Sequence, residues 1–330
     1  MKVSVVCPYF NERLILSRAV AGMLQQLESS GLDWELILVN DGSTDESYSI
    51  AGAAVTGVSR TKLVTYEKNQ GRGYALWRGI QEASGDIVIT TEIDLSWGDT
   101  IVSDIAEKFS KDPLLDAVIA SPNLPGGGYR NVPAKRVWIS RMGNRLLRVL
   151  FSPKISMYTG MTRGYRRELI QGFACDERGK EFHLDVVFKL ILLKCSIEEV
   201  PAILEWKDAK LTQDVGSKRK SSTKILRLIS THLNFAAFAN PIRYFWAFSA
   251  LSGICGLVLG ATALAGKYSY QANIYFAILA VLLEIFALLL LGFGVISSQN
   301  NRILRELWRT QMLHRSSGRE EFVEDKVKRN

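Results

Sequence analysis

The chain is poor in cysteine and histidine, and this scarcity excludes several kinds of site. It has 330 residues but only four cysteines and three histidines. The cysteines are scattered without the paired spacing of a zinc site, and so sparse a set fits a reducing compartment better than a disulfide framework. They are Cys7, Cys175, Cys195 and Cys255. We therefore expect neither structural zinc nor disulfide bonds.

Targeting and nucleic-acid motifs are also missing. The chain opens directly on a strand pattern at residues 3–6, so we expect no signal peptide and a catalytic part in the cytoplasm. The net charge of +8 comes without any nucleic-acid-binding motif. Most of the basic surplus follows residue 130, ahead of long apolar runs, which indicates an anionic membrane surface rather than nucleic acid as partner.

Strand and helix patterns alternate through the first two thirds of the chain. The predicted strands are 2–7, 34–39, 62–66, 87–91, 116–120 and 197–204, and the predicted helices are 13–27, 45–54, 74–83, 136–150 and 186–194. Such alternation predicts an α/β fold with a doubly wound, mostly parallel sheet. Ligands of such sheets bind beyond the carboxyl ends of the strands.

Residues 84–94 form the stretch around which the rest is organised. The run from Ile87 to Thr91 is β-branched and bounded by turn residues, which predicts a buried parallel strand. Glu92 and Asp94 follow it, and in an extended chain they face the same side. Two neighbouring carboxylates suit Mg²⁺ or Mn²⁺ bound together with substrate phosphates. A solvated strand end with two ordinary acids remains the alternative from this stretch alone.

Several loops together resemble family 2 glycosyltransferases with a GT-A fold. The matching segments are 8–12 (PYFNE), 39–45 (VNDGSTD), 69–71 (NQG) with Ala75, Gly79, Ala83, Gly85 and Asp86, and 92–94 (EID). Their order and spacing are specific, whereas the glycine-rich loop by itself, which lacks a Walker pair and a dinucleotide fingerprint, indicates only a tight turn. The nearest branch is similar to polyprenyl-phosphate sugar synthases, such as dolichol-phosphate mannose synthase and bacterial undecaprenyl-phosphate glycosyltransferases.

The resemblance implies roles for individual residues. Glu92 and Asp94 would hold Mg²⁺ or Mn²⁺ on the donor diphosphate, with Asp94 catalytic. Asp185 falls where many members carry an acid near the acceptor, although an acid at a helix start can equally be a cap. The implied substrate-binding residues are Pro8, Phe10, Glu12, Val39, Asp41, Asn69, Gly71, Glu92, Ile93, Asp94 and Ser96.

The sequence also departs from the family pattern. Glu92 replaces the usual first Asp, Ser96 stands where relatives often carry Gln, and Ser121 lacks the Arg that often follows it. The Gln-x-x-Arg-Trp motif of processive polymer synthases is absent, which disfavours polymer synthesis. The candidates for replacing the missing Arg are Arg130, Lys135 and Arg136. The candidates for positioning the acceptor phosphate are Arg130, Arg136 and Lys218.

Three segments between the candidate site and the apolar runs allow two interpretations each. The loop 122–128, with three consecutive glycines, is either an active-site lid or a surface connection. The helix 136–150 places Arg141, Arg145 and Arg148 on one face, which indicates binding to a membrane surface or an ordinary solvated face. The basic loop 216–220 either closes over phosphate or attracts anionic lipid. We predict a turn for the basic run 163–167.

Two apolar runs, 246–266 and 273–297, are long enough to span a bilayer as a hairpin. We expect an interfacial helix at 223–245, a basic tail at 298–330 and a catalytic domain at 1–222. Glu284 interrupts the second run and should face another helix, where it marks either a homo-oligomer contact or a protonated acid that is merely tolerated. Basic residues flank both runs, so the positive-inside rule places both termini on the cytoplasmic side of the inner membrane. They are Lys218, Arg219, Lys220, Lys224, Arg227, Arg243, Arg302, Arg305, Arg309 and Arg315.

Three functional hypotheses follow. The first is a membrane-anchored inverting glycosyltransferase that moves a sugar from UDP or GDP to a polyprenyl (dolichyl or undecaprenyl) phosphate, for cell-envelope or glycan synthesis. The second replaces the acceptor by a lipid or glycan hydroxyl, which needs Asp185 as general base. The third is an inactive glycosyltransferase-like membrane scaffold, motivated by Glu92 and by the missing Arg after Ser121.

Overall fold

The computed structural model describes residues 1–175, 177–179, 181–206, 241–266 and 268–328. Its strands are β1 Lys2–Tyr9, β2 Asp33–Asn40, β3 Thr61–Thr65, β4 Ile87–Thr90, β5 Ala117–Ser121, β6 Gly128–Arg130, β7 Arg163–Arg166, β8 Ile197–Pro201 and β9 Ile203–Glu205. Its helices are α1 Leu16–Ser29, α2 Ser47–Val55, α3 Arg72–Gln81, α4 Ile101–Lys111, α5 Ala134–Leu150, α6 Arg167–Gly172, α7 Phe182–Leu192, α8 Pro241–Leu264 and α9 Tyr270–Lys328.

A seven-stranded sheet organises the first two hundred residues, in the order β3-β2-β1-β4-β7-β5-β8. Its neighbours are parallel except for β7, which is antiparallel to both β4 and β5. Strands β6 and β9 form a separate two-stranded parallel sheet. The predicted mostly parallel, doubly wound α/β architecture is confirmed.

The core of this sheet is apolar on both faces, as parallel strands covered by helices require. Residues 36–39 in β2 are fully buried, as are those of β4. Helix α3 approaches the sheet closely at Gly79, where a Cβ would lie 2.4 Å from Cγ1 of Val6 and 2.8 Å from Cγ2 of Val39. This close contact fixes the start of α3, and the loop before it, above the ends of β1 and β2.

The predicted turn at 163–167 is wrong, because these residues form β7 and the first residue of α6. Their charges suggested exposure, but the Arg163 side chain is fully buried. Its guanidinium donates to the carbonyl of His183 at 2.8 Å and to that of Tyr158 at 2.5 Å. Backbone carbonyls thus replace water around the buried cation, which allows a charged residue in a central strand.

The predicted strand 197–204 is divided into β8 and β9 at Ala202, whose N–H donates to the carbonyl of Ser121. The loop 122–128 ends in β6, which pairs with β9. Its Gly127 is required sterically, because a Cβ there would lie 2.6 Å from the carbonyl oxygen of Ser121. This arrangement brings β6 and β9 beside the end of β5.

Residues 221–309 form a second compact unit, separate from residues 1–220 with 310–330. Within the second unit, residues 242–264 and 270–304 are long and apolar enough to cross a membrane, by length and composition. Most of their large apolar side chains are exposed, for example Leu257 at 70% and Leu288 at 68%. The predicted interfacial helix lies outside the described residues over 223–240, as does Lys218. Helix α9 continues into the predicted tail as far as Lys328.

Glu284 in α9 faces the preceding helix α8, as expected for an acid in a membrane span. A Cβ on Gly256 would lie 2.7 Å from Oε1 of Glu284. Two hydroxyl groups of α8 also reach α9: Ser249 donates to the carbonyl of Ala287 at 2.7 Å and Ser252 to that of Leu283 at 2.9 Å. Small and polar residues at this contact allow the close approach that joins helices in lipid.

Candidate active site

The carboxyl ends of β1 to β4 meet at one edge of the sheet, and the polar side chains beyond them form the candidate site. Asp41 follows β2, Tyr66 follows β3, and Glu92 and Asp94 follow β4. In open α/β sheets this edge is the position where ligands bind. Three of the four were predicted as functional residues, and Tyr66 was not.

Asp41 is buried and accepts several hydrogen bonds at this edge. Its Oδ1 accepts from the Tyr66 hydroxyl at 2.8 Å and from the N–H of Gln70 at 2.9 Å. The Asn69 amide donates to Asp41 Oδ2 at 3.0 Å, and the Gly71 N–H donates to Oδ1 at 3.3 Å. The predicted residues Asp41, Asn69 and Gly71 are thus brought together. Burial, then the contact with Asp41, raises the pKa of the Tyr66 hydroxyl, which therefore stays protonated as a donor.

The loop after β1 is tied to the loop after β2. Asn11 has a φ of +54°, and its side-chain oxygen accepts from the N–H of Thr44 at 2.9 Å. The N–H of Glu12 donates to the Ser47 hydroxyl at 2.9 Å. The Phe10 side chain in this braced loop is 41% exposed. A backbone with positive φ at Asn costs little compared with other side chains, so the sequence suits this turn.

The predicted substrate residues differ in how their side chains can act. Val39 is fully buried under Gly79 of α3, so only its backbone can face the site edge. Ile93 is also buried, whereas Pro8 and Glu12 are half-buried. The polar contacts at this sheet edge are therefore centred on Asp41 rather than on the apolar members of the predicted set.

Glu92 and Asp94 both reach Ser96. The Ser96 hydroxyl donates to Glu92 Oε2 at 3.0 Å, and the Ser96 N–H donates to Asp94 Oδ1 at 3.1 Å. The indole N–H of Trp97 donates to the same Glu92 oxygen at 3.0 Å. The chain turns at Leu95, with a φ of +55°, so a tight turn rather than an extended chain brings the two carboxylates together.

The thiol of Cys7, in β1, is exposed to the negative potential of this turn. It is fully buried and lies 3.4 Å from the carbonyl of Thr91. Burial raises its pKa first, and the charges of Asp94 and Glu92 raise it further. Both carboxylates therefore act on the same point at the end of β1, and the thiol stays protonated and unreactive.

The glycine-rich loop before α3 contacts the chain itself. A Cβ on Gly71 or on Gly73 would lie 2.5 Å from a backbone carbonyl oxygen, of Arg178 and of Glu177 respectively. The N–H groups of Gly73 and Tyr74 donate to the Arg178 carbonyl, at 2.8 Å and 3.2 Å. These two amides at the start of α3 are thus already bonded, so the glycines serve close packing and a turn.

Arg72, between these glycines, contacts the turn at residues 92–96, which we call the carboxylate turn. Its guanidinium Nη1 lies 3.7 Å from Oε1 of Glu92. The sequence alone did not predict a functional role for Arg72, Trp97 or Tyr66. Tyr66 follows a strand directly, so the rule on strand ends would have found it. Arg72 and Trp97 carry no such signal, because only the turn at Leu95 and the loop before α3 bring them to Glu92.

Arg130 and Arg136, the candidate phosphate-binding cations, lie on the side of β6 and β9. The Glu205 N–H donates to the Ser96 carbonyl at 2.7 Å, and Arg130 Nη1 lies 3.6 Å from Oε2 of the same Glu205. The Arg136 guanidinium stacks over the Trp206 ring at 4.8 Å from its centroid. The short sheet thus links Arg130 to the carboxylate turn through one residue.

Asp185 is not a helix cap. Helix α7 begins at Phe182 with Glu181 as its N-cap, and no side chain bonds there. Asp185 is buried in the first turn, and its Oδ2 lies 2.7 Å from Nζ of Lys189, which is also buried. Lys189 also donates to the carbonyl of Ala174 at 3.0 Å. The carboxylate is therefore charge-compensated by a neighbour one turn along the helix.

His183 lies beside Asp185 and is buried, and neither ring nitrogen has a hydrogen-bond partner among the described residues. Burial, then the charges of Arg163 and Arg72, holds its pKa well below the usual range. The imidazole is therefore neutral and supplies no positive charge to the site.

The carboxylate turn suits a divalent cation of the magnesium or manganese type. Such ions are commonly bound by one or two carboxylates, with substrate phosphates and water completing the shell. Glu92 and Asp94 converge on Ser96 and provide this donor set. Among the described residues no group of three or more His, Cys, Asp or Glu side chains forms a cage.

The model of glycosyl transferase family 2 matches residues 4–173, just over half of the chain, and the chain belongs to this family. Similar curated proteins are a dolichol-phosphate mannosyltransferase of Pyrococcus furiosus, 28% identical over 57% of this chain and 53% of that protein, and an undecaprenyl-phosphate 4-deoxy-4-formamido-L-arabinose transferase of Enterobacter sp. (strain 638), 32% identical over 54% and 53%. The chain thus spans about half the length of these two relatives.

The corresponding arabinose transferase of Pectobacterium atrosepticum is 24% identical over 92% of this chain and 90% of its own length. Among solved structures, glucosyl-3-phosphoglycerate synthase from Mycobacterium tuberculosis in complex with phosphoglyceric acid matches with a TM-score of 0.51 and 20% identity, over 72% of this chain and 80% of that one. Its complex with Mn²⁺, UDP and phosphoglyceric acid matches with a TM-score of 0.50 and 21% identity, over 71% and 78%. These likenesses establish the shared fold.

Proposed function

We propose that the protein is a membrane-anchored inverting glycosyltransferase that moves a sugar from a nucleotide-diphosphate sugar to a polyprenyl phosphate. The observation that carries the proposal is the convergence of Glu92 and Asp94 on Ser96, at the same sheet edge as the hydrogen-bonded group around Asp41. Family membership and relatives named as polyprenyl-phosphate sugar transferases support the same function.

The nucleoside would bind beside the hydrogen-bonded group around Asp41, in contact with Pro8, Phe10 and Glu12. The donor diphosphate would lie along the strand ends toward the carboxylate turn. Glu92 and Asp94 would hold Mg²⁺ or Mn²⁺, whose charge offsets that of the leaving diphosphate. The mycobacterial synthase of the same fold binds Mn²⁺ and UDP. UDP or GDP is the nucleotide class that we propose for this chain.

A phosphate acceptor is already anionic and needs no general base to attack the anomeric carbon. This matches Asp185, whose carboxylate is buried and paired with Lys189. Arg130 and Arg136 lie on the β6 side of the carboxylate turn and are the described cations that we propose for positioning the acceptor phosphate. For Lys218, outside the described residues, the same role stays a prediction from the sequence.

Helix α5 would place the catalytic domain on the membrane surface. It exposes Trp138 by 64% and Val149 by 70%, together with basic side chains. Only a narrow strip is inward, where Asn144 accepts from the N–H of Tyr158 at 2.7 Å and Leu147 is buried. Exposed apolar and basic side chains on one helix suit insertion into an anionic lipid surface. The two apolar helices would anchor the chain, which we place in the inner membrane with both termini cytoplasmic.

The proposal is tested by transfer from labelled UDP- and GDP-sugars to undecaprenyl phosphate in detergent, with and without Mn²⁺ or Mg²⁺. We expect a metal-dependent, chloroform-soluble product from the wild type, formed about 10³-fold more slowly by Asp94→Asn. Metal-dependent release of nucleotide diphosphate without a lipid product would contradict the phosphate acceptor and favour a different one. Absence of both would overturn the transferase and favour a scaffold.

The role of Asp185 separates a phosphate acceptor from a hydroxyl acceptor. Asp185→Asn alone leaves Lys189 buried without its partner, which destabilises the fold. The double variant Asp185→Asn/Lys189→Met removes both charges and keeps similar volumes, so the fold is perturbed less. We expect near-normal turnover of the double variant with undecaprenyl phosphate. Loss of turnover in a double variant that unfolds like the wild type would favour Asp185 as general base.

A further inference from the structure

Within the part of the chain that the structure describes, Arg72 of α3 forms an ion pair with Glu92 of the carboxylate turn. Its Nη1 lies 3.7 Å from Oε1 of Glu92, while the other oxygen of Glu92 accepts from Ser96 and Trp97. The Arg72 side chain is 42% exposed, and the 3.7 Å N–O distance to Glu92 is longer than a hydrogen bond. Such a pair is weak and easily exchanged.

The backbone of Arg72 is held, whereas its side chain is able to reorient. Gly71 and Gly73 on either side press against backbone carbonyl oxygens of residues 177–179, and Gly73 donates to the Arg178 carbonyl. Four side-chain torsions therefore remain for the guanidinium, which is anchored at the first residue of α3. The guanidinium can therefore change its position beyond the strand ends while the backbone stays in place.

Arg72 carries a permanent positive charge, and the two basic side chains described near it are neutral or already bonded. A guanidinium does not lose its proton in proteins, so Arg72 remains a cation when it leaves Glu92 and can then pair with another anion. The neighbouring His183 is neutral, and Arg163 is bonded to two backbone carbonyls. Among the described residues Arg72 is thus a counter-ion of Glu92, and a divalent cation bound to Glu92 would compete with it directly.

We infer that Arg72 is an exchangeable counter-ion: it neutralises Glu92 before substrates bind, and it turns to a diphosphate oxygen of the donor when a divalent cation replaces it at Glu92. The inference rests on the proposed function and adds a positioning residue to it. The exchange opposes binding of the metal alone and favours binding of metal and nucleotide together. The two ligands are therefore coupled through one side chain.

The coupling is measured on the full-length protein in detergent, by titrating Mn²⁺ and following free Mn²⁺ by electron paramagnetic resonance. Titrations are made without nucleotide and with saturating UDP or GDP. For Arg72→Gln we expect Mn²⁺ alone to bind about threefold to tenfold tighter, because the competing charge is gone. We expect UDP or GDP to bind the Mn²⁺-loaded variant about tenfold weaker, because a charged hydrogen bond is lost.

Two variants serve as controls. Arg72→Lys keeps the positive charge and should retain most of the coupling. Arg78→Gln removes the next arginine of the same helix, which is paired at 3.4 Å with Glu82 and similarly exposed, and should leave both affinities unchanged. A role of Arg72 in the fold alone would weaken both ligands or neither, and would not move them in opposite directions.

The outcomes separate this inference from the function on which it rests. Wild-type binding of Mn²⁺ with nucleotide, and unchanged or weaker binding of Mn²⁺ alone to Arg72→Gln, would overturn the role of Arg72 and leave the proposed function standing. A wild type that binds no Mn²⁺ with either nucleotide would overturn the proposed function and the inference together. Opposite shifts of the two affinities support the inference.

Discussion

The two edges of the central sheet both carry acidic side chains, but the surroundings differ. At the amino-terminal edge Glu35 is buried and accepts from the hydroxyl of Ser4 at 2.6 Å and from the N–H of Ser84 at 2.6 Å, and Lys62 lies 3.2 Å away. At the carboxyl-terminal edge Glu92 and Asp94 are half-buried on a tight turn.

The difference separates a carboxylate that stabilises the fold from carboxylates arranged for a ligand. Burial alone would raise the pKa of Glu35, but hydrogen bonds from Ser4, Ser84 and Lys62 outweigh it and lower the pKa to about 2. Glu92 and Asp94 instead stand close together where an additional cation would relieve their repulsion. Substitutions at the two edges should therefore affect different properties.

The largest effect is expected at the carboxyl-terminal edge. Asp94→Asn removes one charge from the proposed metal site and should lower the rate of sugar transfer by about 10³-fold, because electrostatic stabilisation of the leaving diphosphate is lost. The midpoint of thermal unfolding in detergent should stay within error of the wild type. Wild-type transfer rates in the variant would show that Asp94 does not take part in the reaction.

The next effect belongs to the amino-terminal edge. Glu35→Gln should lower the free energy of unfolding by about 2–3 kcal/mol, because a charged acceptor of several hydrogen bonds is replaced by a neutral amide. Sugar transfer by the folded fraction should be unchanged. The measurement is chemical unfolding in detergent at neutral pH, with activity assayed on the same sample, and a normal stability would refute the structural role.

The same variant also has a pH signature. The pKa of Glu35 lies near 2 in the folded protein and near 4.5 for an unperturbed Glu, so its contribution to stability is complete above pH 4.5 and is lost as the pH falls toward 2. Stability curves of wild type and Glu35→Gln should therefore converge between these pH values. Parallel curves throughout this window would contradict the lowered pKa.

The sequence predicted the sheet edge better than it predicted the contacts there. The β-branched run before Glu92 and the turn residues after β2 placed the carboxylates and Asp41 correctly at strand ends, because alternation of strands and helices dictates where those ends meet. Strand β7 was missed, because Arg163 is compensated by the carbonyls of Tyr158 and His183, which only the folded chain brings to it. Arg72 was missed because a tertiary contact brings it to Glu92, and Trp97 because the turn at Leu95 does.

A smaller effect is expected from a residue that orients Glu92. Trp97→Phe removes the indole N–H that donates to Glu92 Oε2 and leaves the Ser96 hydroxyl in place. Groups that hold a metal ligand in position are typically worth about tenfold or more in metal affinity. We expect the Mn²⁺ concentration for half-maximal transfer to rise about tenfold, with little change in the rate at saturating metal.

The result for Trp97 would be contradicted if saturating Mn²⁺ failed to restore transfer in a variant with a normal unfolding midpoint. That outcome would mean that the ring acts on the substrate rather than on Glu92. A substitution at Gly160 would not be a suitable control, because its Cβ would lie 3.5 Å from the Trp97 ring and would contact the same side chain. Phe is the suitable replacement, since it removes the donor and keeps an aromatic, although smaller, side chain at this buried position.

The smallest effect is expected from the matching change at the other edge. Ser84→Ala removes a hydroxyl that donates to Glu35 at 2.9 Å and accepts from Nζ of Lys2 at 2.9 Å, and it keeps the Ser84 N–H bond to the same carboxylate. We expect a loss of about 1 kcal/mol in the free energy of unfolding, mostly from the bond to Glu35 because the Lys2 bond is exposed, and no change in the Mn²⁺ dependence of transfer. A shifted Mn²⁺ dependence with unchanged stability would show that the two edges are coupled through β4. The separation of fold and function along the strands would then fail.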